Sequence, residues 1–183
     1  MRHLLLFAFS ALFCSSAFAA PTAGPQAIAA LVDSMNQRVA VGYKVALSKW
    51  DSGKPVEDKP REHTVIMAAT SLAPGYQVSP QWAEQLFSAQ IEANKLAQYV
   101  YLADWAAAGK APGDTRPDLL TEIRPQLDTL QKTLLVQMAA AAPYRQAAQC
   151  HTWVARAIAA GAPDNLRRVA LVRATAELCT TPH

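Results

Sequence analysis

The sequence predicts an all-α single domain of about six helices, and three observations carry that prediction. Apolar residues recur at threes and fours rather than alternating, the spacing of a helix face and not of a strand. Ala, Leu and Gln abound, whereas only 7 of 183 residues are glycine. The Pro- and Gly-containing stretches fall between the periodic runs, where helices must stop and start.

The N-terminus stands apart from this pattern. Met1-Arg2-His3 is followed by an apolar run from Leu4 to Phe13 and then by Ala17-Phe18-Ala19. A basic start, an apolar stretch and an A-x-A site make an export signal, and the run is shorter than the roughly 20 residues a bilayer span needs. Cutting after Ala20 would place Pro21 at the scissile bond, so residues 1–19 are read as the cleaved signal and residues 20–183 as the mature domain. The expected localisation is periplasmic or secreted, with no membrane attachment after cleavage. A domain of that length holds one real core. The net charge of +3 drops by one with Arg2 and is too small to argue for nucleic acid or a membrane surface. Arg167-Arg168 is read as a solvated helix face.

Within the domain, Ile28, Leu31, Val32, Met35, Val39, Ala46 and Trp50 describe one long helix over about residues 26–50, stopped by Asp51-Ser52-Gly53-Lys54-Pro55. A second helix starts at Asp58, an N-cap residue, and runs to about Leu72, where Ala73-Pro74-Gly75 ends it. Ser79 caps a third with Pro80 at its first position, and Trp82, Leu86, Phe87, Ile91, Leu96, Leu102 and Trp105 carry it to about Ala107. Residues 109–117 form a polar linker. Helical spacing resumes through Leu119, Ile123, Leu127, Leu130, Leu134 and Met138, with Pro125 inside it. Either a turn precedes a helix opening at Pro125, or one helix is kinked there. Pro143 and Pro163 are expected to open two final helices, the first bearing Cys150 and the last Cys179. The four tryptophans read as core. Signal removal takes Cys14 and leaves Cys150 and Cys179, which in an oxidising compartment read as a disulfide, two free buried thiols being the alternative. A bridge closing that loop contributes roughly 3 kcal/mol.

The residues that point to chemistry begin with Arg38 and Lys49. Eleven residues is close to three helical turns, so both point the same way, about 16 Å apart along the axis. Two long cations there bracket a small anion, and Val41, Gly42 and Val45 between them leave room for it. Asp58, Arg61 and Glu62 follow, then Asn94 and Gln98 one turn apart on the third helix. His63, His151 and His183 lack metal-ligand spacing, and no phosphate loop, nucleophile elbow or spare cysteine is present.

The set Arg38 … Lys49 … Asp58-x-x-Arg61-Glu62 … Asn94-x-x-x-Gln98 resembles the AroQ-class chorismate mutases, specifically their secreted gamma-type branch. The likeness runs from about Leu31 to Met138, and the Cys150–Cys179 tail is similar to the disulfide-closed C-terminal extension of that branch. The resemblance implies the family's all-α fold, with catalytic helices over about 26–140 and an extension over about 143–183. It implies chorismate as substrate, no cofactor, no metal and a homodimer. By position, Arg38, Arg61 and Arg124 match the cations that hold the substrate's carboxylates. Lys49 and Gln98 match the pair at the ether oxygen, Glu62 the carboxylate that takes the substrate hydroxyl in some members, and Asp58 a polar support. Asn94 stands where the family often has a small hydroxyl residue. If Pro125 opens a helix, Arg124 lies at that helix's positive end, which favours an anion.

These residue types suit the reaction. Chorismate rearranges to prephenate by an intramolecular pericyclic step that needs no nucleophile, metal or proton transfer. An enzyme must fold the ether side chain over the ring and stabilise charge growing on the ether oxygen. Bidentate arginines do the first, and preorganised donors do the second. Two other readings remain: pyruvate elimination from isochorismate on the same scaffold, and an exported helical binding protein without activity.

Overall fold

The computed structural model describes residues 23–180. The expected signal segment, Cys14 and His183 lie outside the described residues. The fold is all helical, in the order α1 (Ala23–Ser52), α2 (Lys59–Leu72), α3 (Pro80–Ala108), α4 (Arg124–Ala141), α5 (Cys150–Gly161) and α6 (Asn165–Ala174). Short tight turns at Ala73–Tyr76 and Ala142–Tyr144, and a wide one at Leu119–Ile123, join them. No helix among the described residues is long and apolar enough to cross a membrane.

The 30-residue α1 is the axis of the molecule, about 45 Å long at the usual helical rise. It packs against α3, α4, α5 and α6, while α2 lies on α3. Ile28, Leu31, Val32 and Met35 of its N-terminal half meet Leu86 and Phe87 of α3 and Leu134 and Met138 of α4 in the main core, which continues to Val154 and Ile158 of α5. Farther along α1, Ala46 and Leu47 join Trp105, with Tyr43, Trp50 and Tyr101 packed around them. Those aromatic rings meet mostly edge to face at 5.1–6.1 Å between centroids, the arrangement their quadrupoles favour. Tryptophan therefore serves packing, as the sequence suggests.

Most helix ends sit where capping chemistry puts them. Asp58 accepts the Arg61 N–H at 3.1 Å, Ser79 caps α3 ahead of Pro80, and Asp164 accepts the Arg167 N–H at 2.7 Å. Gly53 and Gly109 end α1 and α3 with φ of 66° and 69°. After α2 the expected stop at Ala73-Pro74-Gly75 is a tight turn, and the left-handed residue is Gln77 (φ 60°) rather than glycine.

The region around Pro125 follows the first alternative, a turn before a helix that opens at Arg124, one residue ahead of the proline. The turn Leu119–Ile123 runs straight into α4, with the Ile123 N–H bonded to the Asp118 carbonyl and the Arg124 N–H to that of Leu119. These five-residue-back bonds are wider than α-helical ones. Proline has no N–H, and its ring crowds the carbonyl four residues back, so a widened turn just before it keeps the helix continuous. The exposed end of this helix is therefore at Asp118, whose carboxylate accepts the N–H groups of Leu120 and Thr121. The expectation that a free helix terminus beside Arg124 favours an anion does not hold: those donors are spent on Asp118.

The C-terminal extension carries the expected Cys150–Cys179 disulfide, with Cα atoms 5.9 Å apart and Cys150 fully buried. Its helices are shorter than expected. Pro143 opens only the turn Ala142–Tyr144, and α5 begins at Cys150 itself; Cys179 lies beyond α6, in the segment after a turn at Thr175–Leu178. The Thr175 hydroxyl and N–H both bond back to the Leu171 carbonyl at the end of α6. The tail then runs under Arg145, which donates to the carbonyls of Leu178 and Glu177 and stacks 3.9 Å over Trp82. Of the pair read as a solvated face, Arg168 is exposed but Arg167 is half-buried.

Because the bridge closes a loop of sequence separation 29, reduction should remove roughly 3 kcal/mol of stability. The native protein should weigh two hydrogens less than its reduced form and melt at lower temperature after reduction. Two thiols open to alkylation in the native protein would contradict this.

Candidate functional site

One cleft of about 140 Å³ opens between α1, α2, α3 and the start of α4. All eight residues singled out as site candidates line it: Arg38 and Lys49 from α1, Asp58 from the α1–α2 connection, Arg61 and Glu62 from α2, Asn94 and Gln98 from α3, and Arg124 from α4. Every one comes from the same chain.

Arg38 and Gln98 are the most buried of them, each 5% exposed. Among the described residues no carboxylate reaches ion-pair distance of Arg38, its Nε has no hydrogen-bond partner, and its guanidinium lies 5.6 Å from the centre of the Phe87 ring. Burial, with the neighbouring Arg61 adding to it and Asp128 partly opposing, pulls its pKa down to about 10. A buried guanidinium held without a counter-ion is an energetic liability that an incoming anion relieves.

Lys49 is half-buried and donates to the Pro55 carbonyl, which steadies its ammonium on the loop that closes α1. Arg61 lies 3.9 Å from Asp128 of α4. The two α2 candidates are locked by reciprocal capping: Glu62 Oε1 accepts the Asp58 N–H at 3.1 Å while Asp58 caps Arg61. Asp58 itself is exposed.

On α3, Asn94 donates from Nδ2 to the Arg38 carbonyl at 3.0 Å and accepts from Gln98 Nε2 at 2.7 Å. Its amide is thus used on both sides to orient Gln98. The second N–H of Gln98 is left over, and its Oε1 is buried without a partner. The three small residues of α1 serve differently from the expectation that they leave room for a ligand. Only Val45 lines the cleft; Val41 is buried with Ile123 and Leu130, and a Cβ on Gly42 would sit 3.1 Å from Asn94 Nδ2. Gly42 makes room for the asparagine, not for a substrate.

Several lining residues escape the sequence reading: Lys95, Asp128 and Gln131, with the apolar wall of Val56, Val65, Ile91, Leu119 and Leu127. Asp128 and Gln131 stand four and seven residues after Arg124, the repeat of one helix face, so that repeat was the available signal. Among the described residues no cluster of three or more His, Cys, Asp or Glu suits a metal ion. His63 is exposed and His151 partly buried.

A family model described as chorismate mutase type II matches residues 29–99, the span that holds seven of the eight candidates. A secreted chorismate mutase of Mycolicibacterium smegmatis is 33% identical over 153 residues, covering 81% of this chain and 84% of the relative. The chain belongs to the type II chorismate mutase family. That family is one of isomerases, as the resemblance in the sequence implies. A secreted chorismate mutase of Mycobacterium tuberculosis is 27% identical over 160 residues, covering 85% and 80% of the two chains. Among solved structures, a chorismate mutase of Burkholderia phymatum superposes with a TM-score of 0.85 at 42% identity, covering 87% of this chain and 99% of that one. The family's fold is therefore the fold of this chain, C-terminal helices included.

Proposed function

We infer that this chain is an exported chorismate mutase, converting chorismate to prephenate in the cleft between α1, α2, α3 and α4. The observation that carries the reading is Arg38, a buried guanidinium facing the cleft with, among the described residues, no carboxylate within ion-pair distance of it. A dianionic substrate supplies what it lacks. Arg38, Arg61 and Arg124 clamp the two carboxylates and hold the ether side chain over the ring, so the reacting carbons meet without the entropy loss of the free molecule. As the C–O bond breaks, electron density moves onto the ether oxygen. Lys49 and the unused N–H of Gln98 donate to it from positions set beforehand by Pro55 and Asn94. Glu62 accepts the ring hydroxyl. No residue becomes covalently attached and none exchanges a proton with the substrate.

The eight lining residues come from one chain, which supports activity in each protomer of the expected homodimer without residues from a second copy. Export rests on the leader read over residues 1–19, and mature protein should begin at Ala20, a point that N-terminal sequencing checks. The direct assay mixes mature protein with chorismate and follows loss of its ultraviolet absorbance with prephenate as product. Release of pyruvate from isochorismate, or no turnover of either compound, would reject the mutase reading.

Gln98 offers a sharper test. Glutamine donates at any ordinary pH, so wild-type activity should stay nearly flat across neutrality. In Gln98→Glu the new group has a reference pKa of about 4.3; burial raises it and nearby cations lower it. Ionised, it sets negative charge against an oxygen gaining negative charge; protonated, it donates. The variant should thus be poor at high pH and recover as pH falls through the new pKa. Parallel profiles of kcat/KM for both proteins would remove Gln98 from the reacting oxygen.

A further inference from the structure

Lys95 is a cation in the cleft wall that no part of the proposed mechanism yet uses. It follows Asn94 on α3, so its side chain leaves the helix about 100° around from that residue, on the side where α2 packs. Its ammonium lies 3.2 Å from Glu62 Oε2 and 2.8 Å from Glu92 Oε1, and its side chain is only 13% exposed. Burial works against the charge, but hydrogen bonds to Glu92 and Glu62 outweigh it and hold the pKa above the ordinary lysine value.

A contact that served only to join α2 to α3 would not need this residue. Val65 and Ile91 line the same cleft from α2 and α3, and an apolar side chain of similar length would join them without losing hydration or ordering a long cationic chain. What the lysine adds is aim. Glu62 Oε1 is held by the Asp58 N–H and Oε2 by Lys95, so both oxygens are pinned. A carboxylate has about four acceptor positions, and the two that remain are turned by these bonds to a fixed direction beside the cleft.

We propose that Lys95 is a positioning residue that fixes Glu62 as the acceptor for the substrate's ring hydroxyl and thereby sets the preference for a hydroxylated ring. The inference rests on the mutase reading above. The hydroxyl takes no part in the bonds made or broken, so a chorismate analogue lacking it can still rearrange and makes the comparison clean.

The test measures kcat and KM on chorismate and on the deoxy analogue for wild type, Lys95→Met, Lys95→Arg, Glu62→Gln and the Lys95→Met/Glu62→Gln double variant. Lys95→Met keeps the stem and loses the charge. Its kcat/KM on chorismate should fall at least about tenfold, mainly through KM, as expected for a lost charge-assisted contact. On the deoxy analogue it should stay within about twofold of wild type, Lys95→Arg should restore most of the loss, and the double variant should be no worse than Glu62→Gln alone. Equal losses on both substrates, additive losses in the double variant, or no loss at all would each overturn the assignment. Should Lys95→Met fail to fold, Lys95→Gln takes its place under the same criteria. Wild-type protein that turns over neither compound would instead overturn the mutase reading beneath it.

Discussion

Lys49→Ala is expected to lower kcat by at least about a hundredfold, roughly 2.7 kcal/mol of transition-state stabilisation. The lysine contributes most when charge appears on the ether oxygen, and little in the ground state, where an ether is a weak acceptor. KM should therefore change much less than kcat. The structure adds a reason for a large effect. Lys49 is half-buried and tethered to the Pro55 carbonyl, so its ammonium is already in place and needs no reorganisation as the bond breaks. Alanine leaves a gap that water can enter, and water there is not preorganised. Steady-state kinetics on chorismate decide the matter; a variant with near-normal kcat would take Lys49 out of the reacting centre.

Arg38→Met should separate activity from stability. The guanidinium is buried, and among the described residues no carboxylate lies within ion-pair distance. Its pKa is lowered from the ordinary arginine value to about 10, with burial the largest cause. The sign is clear. A cation whose folded pKa is depressed below its unfolded value destabilises the fold at every pH below about 10, and the penalty is relieved only as pH rises from there toward the ordinary arginine value. Methionine fills similar space beside Phe87 without that cost, though the contact between cation and ring is lost. The unliganded variant should gain on the order of 1–3 kcal/mol, about 2–4 °C in Tm per kcal/mol for a domain of this size. Its kcat/KM should fall at least about a hundredfold, because the substrate carboxylate then meets no partner at the bottom of the cleft. Added dicarboxylate analogue should raise the Tm of wild type and leave the variant unmoved. Lower stability together with retained activity would show that Arg38 is structural instead.

Much of this was legible in the sequence because helices are local. Asp58, Ser79, Pro80, Gly53 and Gly109 act on backbone groups within a turn of themselves, and their effects appear where capping rules put them. Arg38 and Lys49 could be placed on one face because helical geometry relates residues eleven apart without reference to any neighbour. Local rules failed where a distant contact intervened. The tail beyond α6 is gathered by Arg145 and Trp82, so Cys179 meets Cys150 from a non-helical segment. Pro125 permitted two outcomes, and the structure takes the first, a wide turn capped by Asp118 that leads into a helix opening at Arg124.

The cleft shows the same division. Helical spacing paired Arg38 with Lys49 and Asn94 with Gln98, because spacing along a helix survives folding, and the resemblance to the family completed the set of eight lining positions, Arg124 among them. Lys95 and Gly42 took their meaning only from the packing of one helix on another: α2 on α3 gives Lys95 its carboxylate, and α3 on α1 sets Asn94 against Gly42. The sequence by itself determined which faces are apolar, where helices begin and which side chains are charged. Tertiary structure decided which charges go unpaired, since that depends on the groups brought near from other helices. Arg38 reads as one more cation along the chain and becomes a buried charge awaiting an anion only when α1, α3 and α4 close around it.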